Sequence, residues 1–448
     1  MLPKNTSRLL ALSLVMLTPV VAKADDGLAQ WLEDGHVSGD VRLYDFSRDF
    51  AGTASDFPST TPYTGKLKPN LKDMNAASLG GKLKYETPDL NGFSAAAALY
   101  YAYDIGLNNY TQNNSPAFNA NYNYPYLNPL LMGVNRTIDT LGEAYLRYKN
   151  PWLVATVGNQ VIENPWVNSS DGFMIPNLYQ GVSAIVTPLT GLQFEGDRVM
   201  EYKYRTEAGF DNNNISALPY DKITYLGDTA GTADIGATYK SDQYSGQAWL
   251  YDFYGFAKMV YLEGGDKFPL ADFTPFTNFQ YVNETGTGVI GTVNAAVYGA
   301  KLGTYLPNRW GSVYLAYNRS ANNNVQSSTG SVSNGNLFSP YTQIYNTDPL
   351  YTTVMNYGLV SARAAGYAWL FGATLNPLGK SLDIIPTVSE YYTEPYVANG
   401  RAYMLDVAYH FSGSLKGLTV RNRLGIEHDI PFLSTAYVDN RIMLQYAF

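Results

Sequence analysis

The sequence contains no cysteine, so disulfide bonds contribute nothing to its stability. Histidine is also rare, with three residues among 448, whereas tyrosine and glycine are frequent, with 39 and 40 residues. Small secreted domains usually depend on disulfides because they cannot build a sufficient core. A chain of this length without cysteine must therefore be stabilised in another way.

Long apolar runs are missing beyond the amino terminus. The run Leu9 to Val21 follows the basic residues Lys4 and Arg8 and precedes the A-x-A sequence Ala22-Lys23-Ala24. This pattern predicts a signal peptide over residues 1–24 that is cleaved on export. After it, no segment approaches the roughly 20 consecutive apolar residues of a membrane helix, which excludes a helical membrane protein.

Positive charge is scarce as well. The formal net charge is −8, and removal of the signal peptide takes away Lys4, Arg8 and Lys23 but no acidic residue, which lowers the charge to −11. Nucleic acids are recognised by basic surfaces. We therefore expect no nucleic-acid partner.

Catalytic and metal-binding motifs are absent from the sequence. None of the three histidines, His36, His410 and His428, lies in a G-x-S-x-G or H-E-x-x-H context, and these are the contexts that would indicate hydrolytic or zinc chemistry. No cluster with metal-ligand spacing and no phosphate-binding loop is found. We expect no enzymatic activity, no metal and no cofactor.

Short segments with a period of two recur along the rest of the chain. In the segment 77–87, Leu79, Leu83 and Tyr85 alternate with Lys82 and Lys84. The segments 402–411 and 418–427 alternate in the same way. Such alternation predicts strands with one apolar and one wetted face, and strands this short can cross a membrane only as a closed sheet.

Connections between these segments alternate between short and long. Eight short ones are predicted near Pro88 to Gly92, Asn150-Pro151, Pro188 to Gly191, Ser241 to Gly246, Gly264 to Lys267, Pro307 to Gly311, Pro377 to Lys380 and Ser412 to Gly417. Five long ones are Ser47 to Met74, Asp104 to Asp139, Asn159 to Tyr179, Thr206 to Gly231 and Ser320 to Ala365. The count predicts an all-β fold, a transmembrane antiparallel β-barrel of about 18 strands with short periplasmic turns and long extracellular loops.

The last ten residues are typical of the closing strand of an outer-membrane barrel. Ile442, Leu444, Tyr446 and Phe448 form one apolar face, and the chain ends on an aromatic residue. We interpret Tyr446 and Phe448 as the membrane-insertion signal read by the barrel-assembly machinery. The predicted organisation is then a signal peptide (1–24), a short periplasmic segment (25–36) and the barrel (37–448).

The segments 41–50, 158–183 and 249–262 carry motifs that resemble those of one known family, the OprD-type outer-membrane porins. The segment 41–50 resembles the first-strand pattern R-x-Y-x-F-x-R-D-F of that family. The segment 158–183 is similar to its third-loop pattern G-x-Q, N-x-P-W, S-D-x-R-M-x-P and E-G-V-S, and residues 249–262 resemble its tyrosine-rich central hairpin. The resemblance implies an 18-stranded monomeric barrel whose narrow, substrate-selective pore is constricted by the third loop folding inward, at about residues 159–180.

The resemblance also implies which residues of this loop line the constriction. These are Asn164, Trp166, Ser169, Ser170, Asp171 and Phe173. Two departures stand out, because Phe173 occupies the place where the family pattern usually has arginine, and Pro165 directly follows Asn164. We expect a constriction that is less basic and differently shaped than in the family.

Basic residues are predicted to gather on one inner wall, because barrel closure makes the last strands neighbours of the first. The candidate ladder for an anionic group consists of Arg42, Lys82, Lys84, Arg421, Arg423 and Arg441, and OprD-type porins are similar in carrying such a ladder. The acidic residues Asp40, Glu143 and Glu201 could face it across the channel and create a transverse field suited to zwitterions. The alternative is a generic wetted wall.

These features predict an outer-membrane porin for small hydrophilic solutes such as carboxylates, amino acids or other small anions or zwitterions. The alternatives are a general diffusion porin and a non-conducting adhesin or structural barrel. Expected partners are the solutes, outer-membrane lipid and lipopolysaccharide, and the barrel-assembly machinery. A monomer is favoured over a trimer.

Overall fold

The computed structural model describes residues 32–50, 74–107, 130–133, 135–212, 230–288, 291–321, 337, 339–342, 347–355, 358–359, 365–394, 398–428 and 436–448. The predicted signal peptide lies outside these ranges. None of the helices within them is long and apolar enough to span a membrane.

Eighteen antiparallel strands form one closed sheet. Each strand pairs with its neighbours in the sequence, and β1 pairs with β18 to close the ring. Three 3-10 turns, Pro307–Arg309, Gly379–Ser381 and Gly413–Leu415, lie in short connections. The strands are β1 (His36–Phe50), β2 (Met74–Glu86), β3 (Phe93–Asp104), β4 (Thr137–Lys149), β5 (Leu153–Gln160), β6 (Leu178–Leu189), β7 (Leu192–Lys203), β8 (Thr232–Lys240), β9 (Tyr244–Phe253), β10 (Ala257–Lys267), β11 (Thr274–Gly288), β12 (Gly291–Tyr305), β13 (Gly311–Ser320), β14 (Ala365–Leu375), β15 (Leu382–Glu394), β16 (Ala398–His410), β17 (Leu418–His428) and β18 (Tyr437–Ala447).

Alternation along each strand separates an inner from an outer face. In β1, Arg42 and Tyr44 are buried inside the barrel, whereas Val41 and Leu43 between them are exposed on its outside. Successive side chains of a strand point to opposite faces, so the exposed apolar row is the surface that a bilayer covers. The predicted all-β barrel of 18 strands is confirmed.

One predicted turn is wrong. The Gly-rich segment Gly264 to Lys267 is the end of β10, where every residue pairs with β11, and the connection follows at residues 268–273. Glycine serves packing here, because a side chain at Gly265 would collide with the amide of Asn278. The glycine pair therefore imitates turn chemistry inside a regular strand.

Asn422 interrupts the apolar outer face of β17. Its side-chain amide donates to Oδ1 of Asn440 at 2.8 Å and to the carbonyl oxygen of Arg441 at 3.1 Å, both on β18. A polar group facing lipid is costly unless it is hydrogen-bonded. The pairing with β18 therefore reduces the cost of this polar position.

We expect a charge on the outer face to destabilise the barrel and a charge on the inner face to be tolerated. Leu79→Arg places a charge on the outer face at mid-strand, where Leu79 is now exposed, and should lower the free energy of unfolding in lipid vesicles by roughly 2–4 kcal/mol. The control Lys82→Arg keeps a charge on the inner face and should leave it unchanged. Equal stability of the two variants in urea titrations would contradict the assignment of faces.

Candidate functional site

Residues 161–177, between β5 and β6, form a crossing loop that runs through the barrel interior. At one side, the ring of Trp166 packs edge-on against Tyr261 of β10 with centroids 6.1 Å apart. At the other side, the ring of Phe173 stacks on Tyr44 of β1 at 6.2 Å. Strands β1 and β10 are nine strands apart in either direction around the ring, so the loop bridges opposite walls.

Asn164 attaches the crossing loop to the far wall. Its Nδ2 donates to Asp197 of β7 at 3.1 Å and to Asp234 of β8 at 3.2 Å. Its Oδ1 accepts from the Tyr251 hydroxyl at 3.1 Å and from the backbone of Val167 at 2.8 Å. The buried amide is thus satisfied on both atoms, as a buried polar group requires. Asn164 is an anchor and does not line open space.

Asp171 attaches the loop to the near wall. Arg42 donates to its two oxygens at 2.5 and 2.9 Å, and also to Asp40 at 2.8 Å and to the carbonyl oxygen of Phe173 at 2.7 Å. Burial opposes ionisation of Asp171, but the Arg42 guanidinium holds the pKa of that carboxyl below its usual value. A bidentate pair between arginine and carboxylate is strong and directional. Arg42 therefore acts here as the clamp of the loop.

Phe173 lies beneath two guanidinium groups. The Arg205 guanidinium carbon is 3.9 Å and that of Arg441 is 4.8 Å from the centre of its ring. Nη2 of Arg205 also donates to the hydroxyl of Ser170 at 2.9 Å. Burial lowers the pKa of Arg205 to about 9, so it remains charged at neutral pH. The ring at position 173 thus receives cation–π contacts from both arginines.

The loop is also braced internally. Ser169 donates through its hydroxyl to Glu163, and its carbonyl oxygen accepts from the backbone of Asn177 at 2.7 Å. Ser170 has φ of +49°, a left-handed conformation that turns the chain toward Asp171. Met174 packs over Gly80 of β2, where a Cβ would approach its methyl group to 2.5 Å. These contacts determine one path for the loop.

A second interior segment consists of residues 337, 339–342 and 347–355. It lies within the connection 320–365, for which the sequence predicted an extracellular loop. Tyr341 packs on Tyr179 and Tyr202 with centroids 5.4 and 5.1 Å away. The Tyr351 hydroxyl donates to Glu263 at 2.9 Å. The crossing loop contacts this segment, because Asn168 donates to the carbonyl oxygen of Thr347 at 3.0 Å. The described residues of the second interior segment contact strands between β6 and β15.

The structure brings the six predicted basic residues to one wall formed by β17, β18, β1 and β2. Strand register gives their order along the barrel axis. Arg441 opposes Arg423 on β17 and Phe46 on β1. Phe46 lies four residues nearer than Arg42 to the end of the barrel with the long connections. Lys82 opposes Asp40, two residues below Arg42. The basic side chains therefore descend along adjoining strands toward the end with short turns.

Exposure divides the four arginines of this wall into two groups. The side chains of Arg42 and Arg441 are only 7% and 4% exposed, since the first clamps the loop and the second pairs with Asp439 at 2.7 Å. Arg421 and Arg423 are 32% and 19% exposed. The second pair lies beside the loop, because a Cβ on Gly172 would lie 3.3 Å from Nη1 of Arg423.

The exposed basic residues are incompletely neutralised. Arg421 and Arg423 share one carboxylate, Asp406, at 2.5 and 3.1 Å. Within the described part of the chain, no ion pair is found for Lys82, whose Nζ lies 5.8 Å from the Tyr100 ring centre. Lys84 pairs with Glu143 at 2.8 Å. Arg421, Arg423 and Lys82 therefore leave a net positive surface beside the loop.

The predicted opposing acidic residues lie elsewhere. Asp40 is beside Arg42 on β1, and Glu143 pairs with Lys84, so both belong to the basic wall and partly neutralise it. Glu201 pairs in register with Gln180 at a β-bulge of β7, next to the buried Tyr202. The bulge shifts the alternation and places Glu201 on the outer face. The prediction that these three face the ladder across the channel is wrong.

Acidic residues do lie on the far wall, although they were not predicted from the sequence. Asp197 and Asp234 are 4% and 7% exposed because the crossing loop covers them through Asn164. The alternation Gln193, Glu195, Asp197 along β7 was an available signal. Asp406 lies on the inner face of β16, and its pairing with Arg423 depends on register between β16 and β17.

The end of the chain closes the barrel. Backbone hydrogen bonds of 3.0 Å join Phe448 and Gly39 in both directions. The side chains of Tyr446 and Phe448 are 46% and 53% exposed on the outer face. Among the described residues, no group of three or more His, Cys, Asp or Glu side chains could hold a metal ion.

Comparisons with known proteins agree with this geometry. The model of a family described as outer membrane porin, OprD family, matches residues 142–448. The chain is similar to the crystal structure of OccK9 (OpdG) from Pseudomonas aeruginosa, with 16% identity, a TM-score of 0.68 and coverage of 93% of this chain and 99% of that one. A BenF-like porin from Pseudomonas fluorescens Pf-5 has 14% identity, a TM-score of 0.70 and the same coverage. OccK2 (OpdF) of Pseudomonas aeruginosa, solved in complex with glucuronate, has 14% identity, a TM-score of 0.68 and the same coverage. No curated protein matches the sequence.

The contacts of Phe173 predict the effect of an arginine at this position. Phe173→Arg would set a third cation against Arg205 and Arg441 and remove the stacking on Tyr44, so we expect the loop tip to loosen and the open-channel current in planar bilayers to fluctuate. Phe173→Tyr, which keeps the ring, should remain as quiet as the wild type. A quiet Phe173→Arg channel would contradict this role of the ring.

Proposed function

The chain belongs to the OprD family of outer membrane porins, and we propose that its channel selects small carboxylates, amino acids or other small anions or zwitterions. Membership makes the protein a channel of the outer membrane, not an enzyme. The observation that carries the selectivity is the positive surface of Arg421, Arg423 and Lys82 beside the tip of the crossing loop.

The crossing loop supports a narrow pore. It is fixed at Asn164 to one wall and at Asp171 to the opposite wall, so the open path must pass to one side of it. The second interior segment fills the side near β10–β15. A solute is thereby directed along the remaining wall, which carries the basic residues.

Recognition of an anion at this wall follows from its charges. A carboxylate entering a narrow pore loses part of its hydration, and charged donors on the wall can replace the lost water. Arg421 and Arg423 share the single carboxylate of Asp406, which leaves donor capacity for a solute. Asp171, whose side chain is 39% exposed, offers an acceptor for an ammonium group of a zwitterion.

Two similar porins were solved with carboxylate compounds, OccK2 with glucuronate and OpdK of Pseudomonas aeruginosa with vanillate. These ligands are properties of those proteins. A carboxylate is nevertheless the kind of group that the basic wall of this chain could bind, so both compounds are suitable solutes for a first test.

We also propose how the chain is exported, inserted and assembled. Export would use the signal peptide at residues 1–24, followed by the short segment 25–36. Tyr446 and Phe448 would be read by the barrel-assembly machinery, and the outer face would contact lipid and lipopolysaccharide. The working unit would be a monomer.

Removal of the exposed arginines tests the selectivity. In single-channel recordings with vanillate or glucuronate, the double variant Arg421→Gln and Arg423→Gln should weaken block by carboxylate about tenfold, as loss of a charged hydrogen bond implies. Lys380→Ala, which removes a charge from an exposed short turn, should leave block unchanged.

Two other outcomes would contradict the proposed selectivity. Large conductance without block by any carboxylate or amino acid would indicate a general diffusion porin. Absence of conductance would indicate a surface-binding barrel.

A further inference from the structure

A cavity of about 490 Å³ opens inside the barrel at the end where the short turns lie. We call it the exit cavity, and its charged and polar lining includes Glu86, Asp89, Ser94, Arg147 and Lys149. Short turns of outer-membrane barrels face the periplasm. The cavity therefore lies where a solute would leave the channel.

The basic wall continues into this cavity through a chain of contacts. Nζ of Lys84 lies 2.8 Å from both Glu143 and the hydroxyl of Tyr145. Arg147 donates to the same hydroxyl at 2.7 Å and to Glu86 at 3.1 Å. Since Arg147 lies two residues beyond Tyr145 on the inner face of β4, it is the next basic side chain below Lys84.

Arg147 is oriented but keeps donors for a ligand. Each terminal nitrogen of a guanidinium carries two hydrogens, and the contacts to Glu86 and Tyr145 use one on each. The side chain is 30% exposed, so the remaining hydrogens can reach water. The guanidinium is also held 4.6 Å from the Tyr145 ring centre, which limits the entropy lost when a ligand binds.

Lys149 and Asp89 supply the other charges. Lys149 is exposed, and no ion pair is found for it in the part of the chain that the structure describes. Its backbone amide donates to the carbonyl oxygen of Gly92 at 2.7 Å, and the amide of Gly92 donates to Oδ1 of Asp89 at 2.9 Å. These bonds attach Lys149 to the turn that carries Asp89. Both charges therefore belong to one side of the cavity.

Charge balance indicates the chemistry of the ligand. The cavity carries two basic and two acidic side chains, but Glu86 already accepts from Arg147, which leaves Asp89 as the exposed carboxylate. We propose that the exit cavity binds a small zwitterionic solute, whose carboxylate contacts Arg147 and Lys149 while its ammonium group contacts Asp89. This inference rests on the proposed channel function and adds a second binding position to it.

Three probes of equal chain length separate the charge requirements: 4-aminobutyrate, butyrate and butylammonium. Each is added to one bath of a planar bilayer that contains a single channel. Because the chain has no cysteine, a single Ser414→Cys change in an exposed short turn lets a bulky thiol reagent identify the bath that faces the cavity. The measured quantity is the concentration for half block from that bath.

We expect 4-aminobutyrate to block more strongly than the other two probes from the cavity side. Lys149→Ala should weaken its block about two- to fivefold, the size of one exposed charged contact, and Asp89→Asn should abolish its advantage over butyrate. Arg147→Lys keeps the charge but removes the planar guanidinium that can donate two parallel hydrogen bonds to a carboxylate, so it should weaken block as well. Lys240→Ala, an exposed lysine at the end of β8 far from the cavity, serves as the matched control and should have no effect.

The experiment distinguishes failure of the exit site from failure of the proposed channel function. If the wild-type channel conducts, and 4-aminobutyrate blocks it as strongly as it blocks the Lys149→Ala and Asp89→Asn variants, the exit site alone is overturned. Block of equal strength from both baths, or weakening by Lys240→Ala to the same extent, would also overturn it. A wild-type protein that does not conduct would overturn the proposed function, and the exit site with it.

Discussion

The ion pair between Arg42 and Asp171 is the contact on which the arrangement of the channel depends. It joins the first strand to the tip of the crossing loop through two charged hydrogen bonds of 2.5 and 2.9 Å. The position of the tip decides which basic residues remain in water, since Gly172 lies against Arg423. Removal of Asp171 would take away one of the two carboxylates that the buried guanidinium of Arg42 contacts, and loss of a partner by a buried charge is costly. The geometry of the pore therefore follows from one pair and its supports.

The two attachments of the crossing loop differ in chemistry. At the far wall, the neutral amide of Asn164 donates to two carboxylates, whereas at the near wall the loop presents a carboxylate to Arg42. Phe173 adds a ring that binds Arg205 and Arg441 by its face. A phenylalanine at a position where the family pattern usually has arginine is thus accommodated by arginines that come from elsewhere in the chain.

Alternation predicted which side chains face inward, because it is a local property of each strand. It placed Arg42, Arg421 and Lys82 correctly on one inner wall. It could not identify their partners, since Asp406 opposes Arg423 only through register between strands. Glu201 was misplaced because a bulge breaks the period of two. The second interior segment was missed because its composition resembles that of a surface loop, and the crossing loop itself was expected only from resemblance.

A double-mutant cycle of Arg42→Gln and Asp171→Asn, read from the current noise of single open channels, tests whether this ion pair holds the loop. If the pair holds the loop, each single variant should be noisier than the wild type. The double variant should then be no noisier than either single one, since the same interaction is lost in all three. Single variants as quiet as the wild type, or noise that simply adds in the double variant, would contradict the claim that this pair fixes the crossing loop.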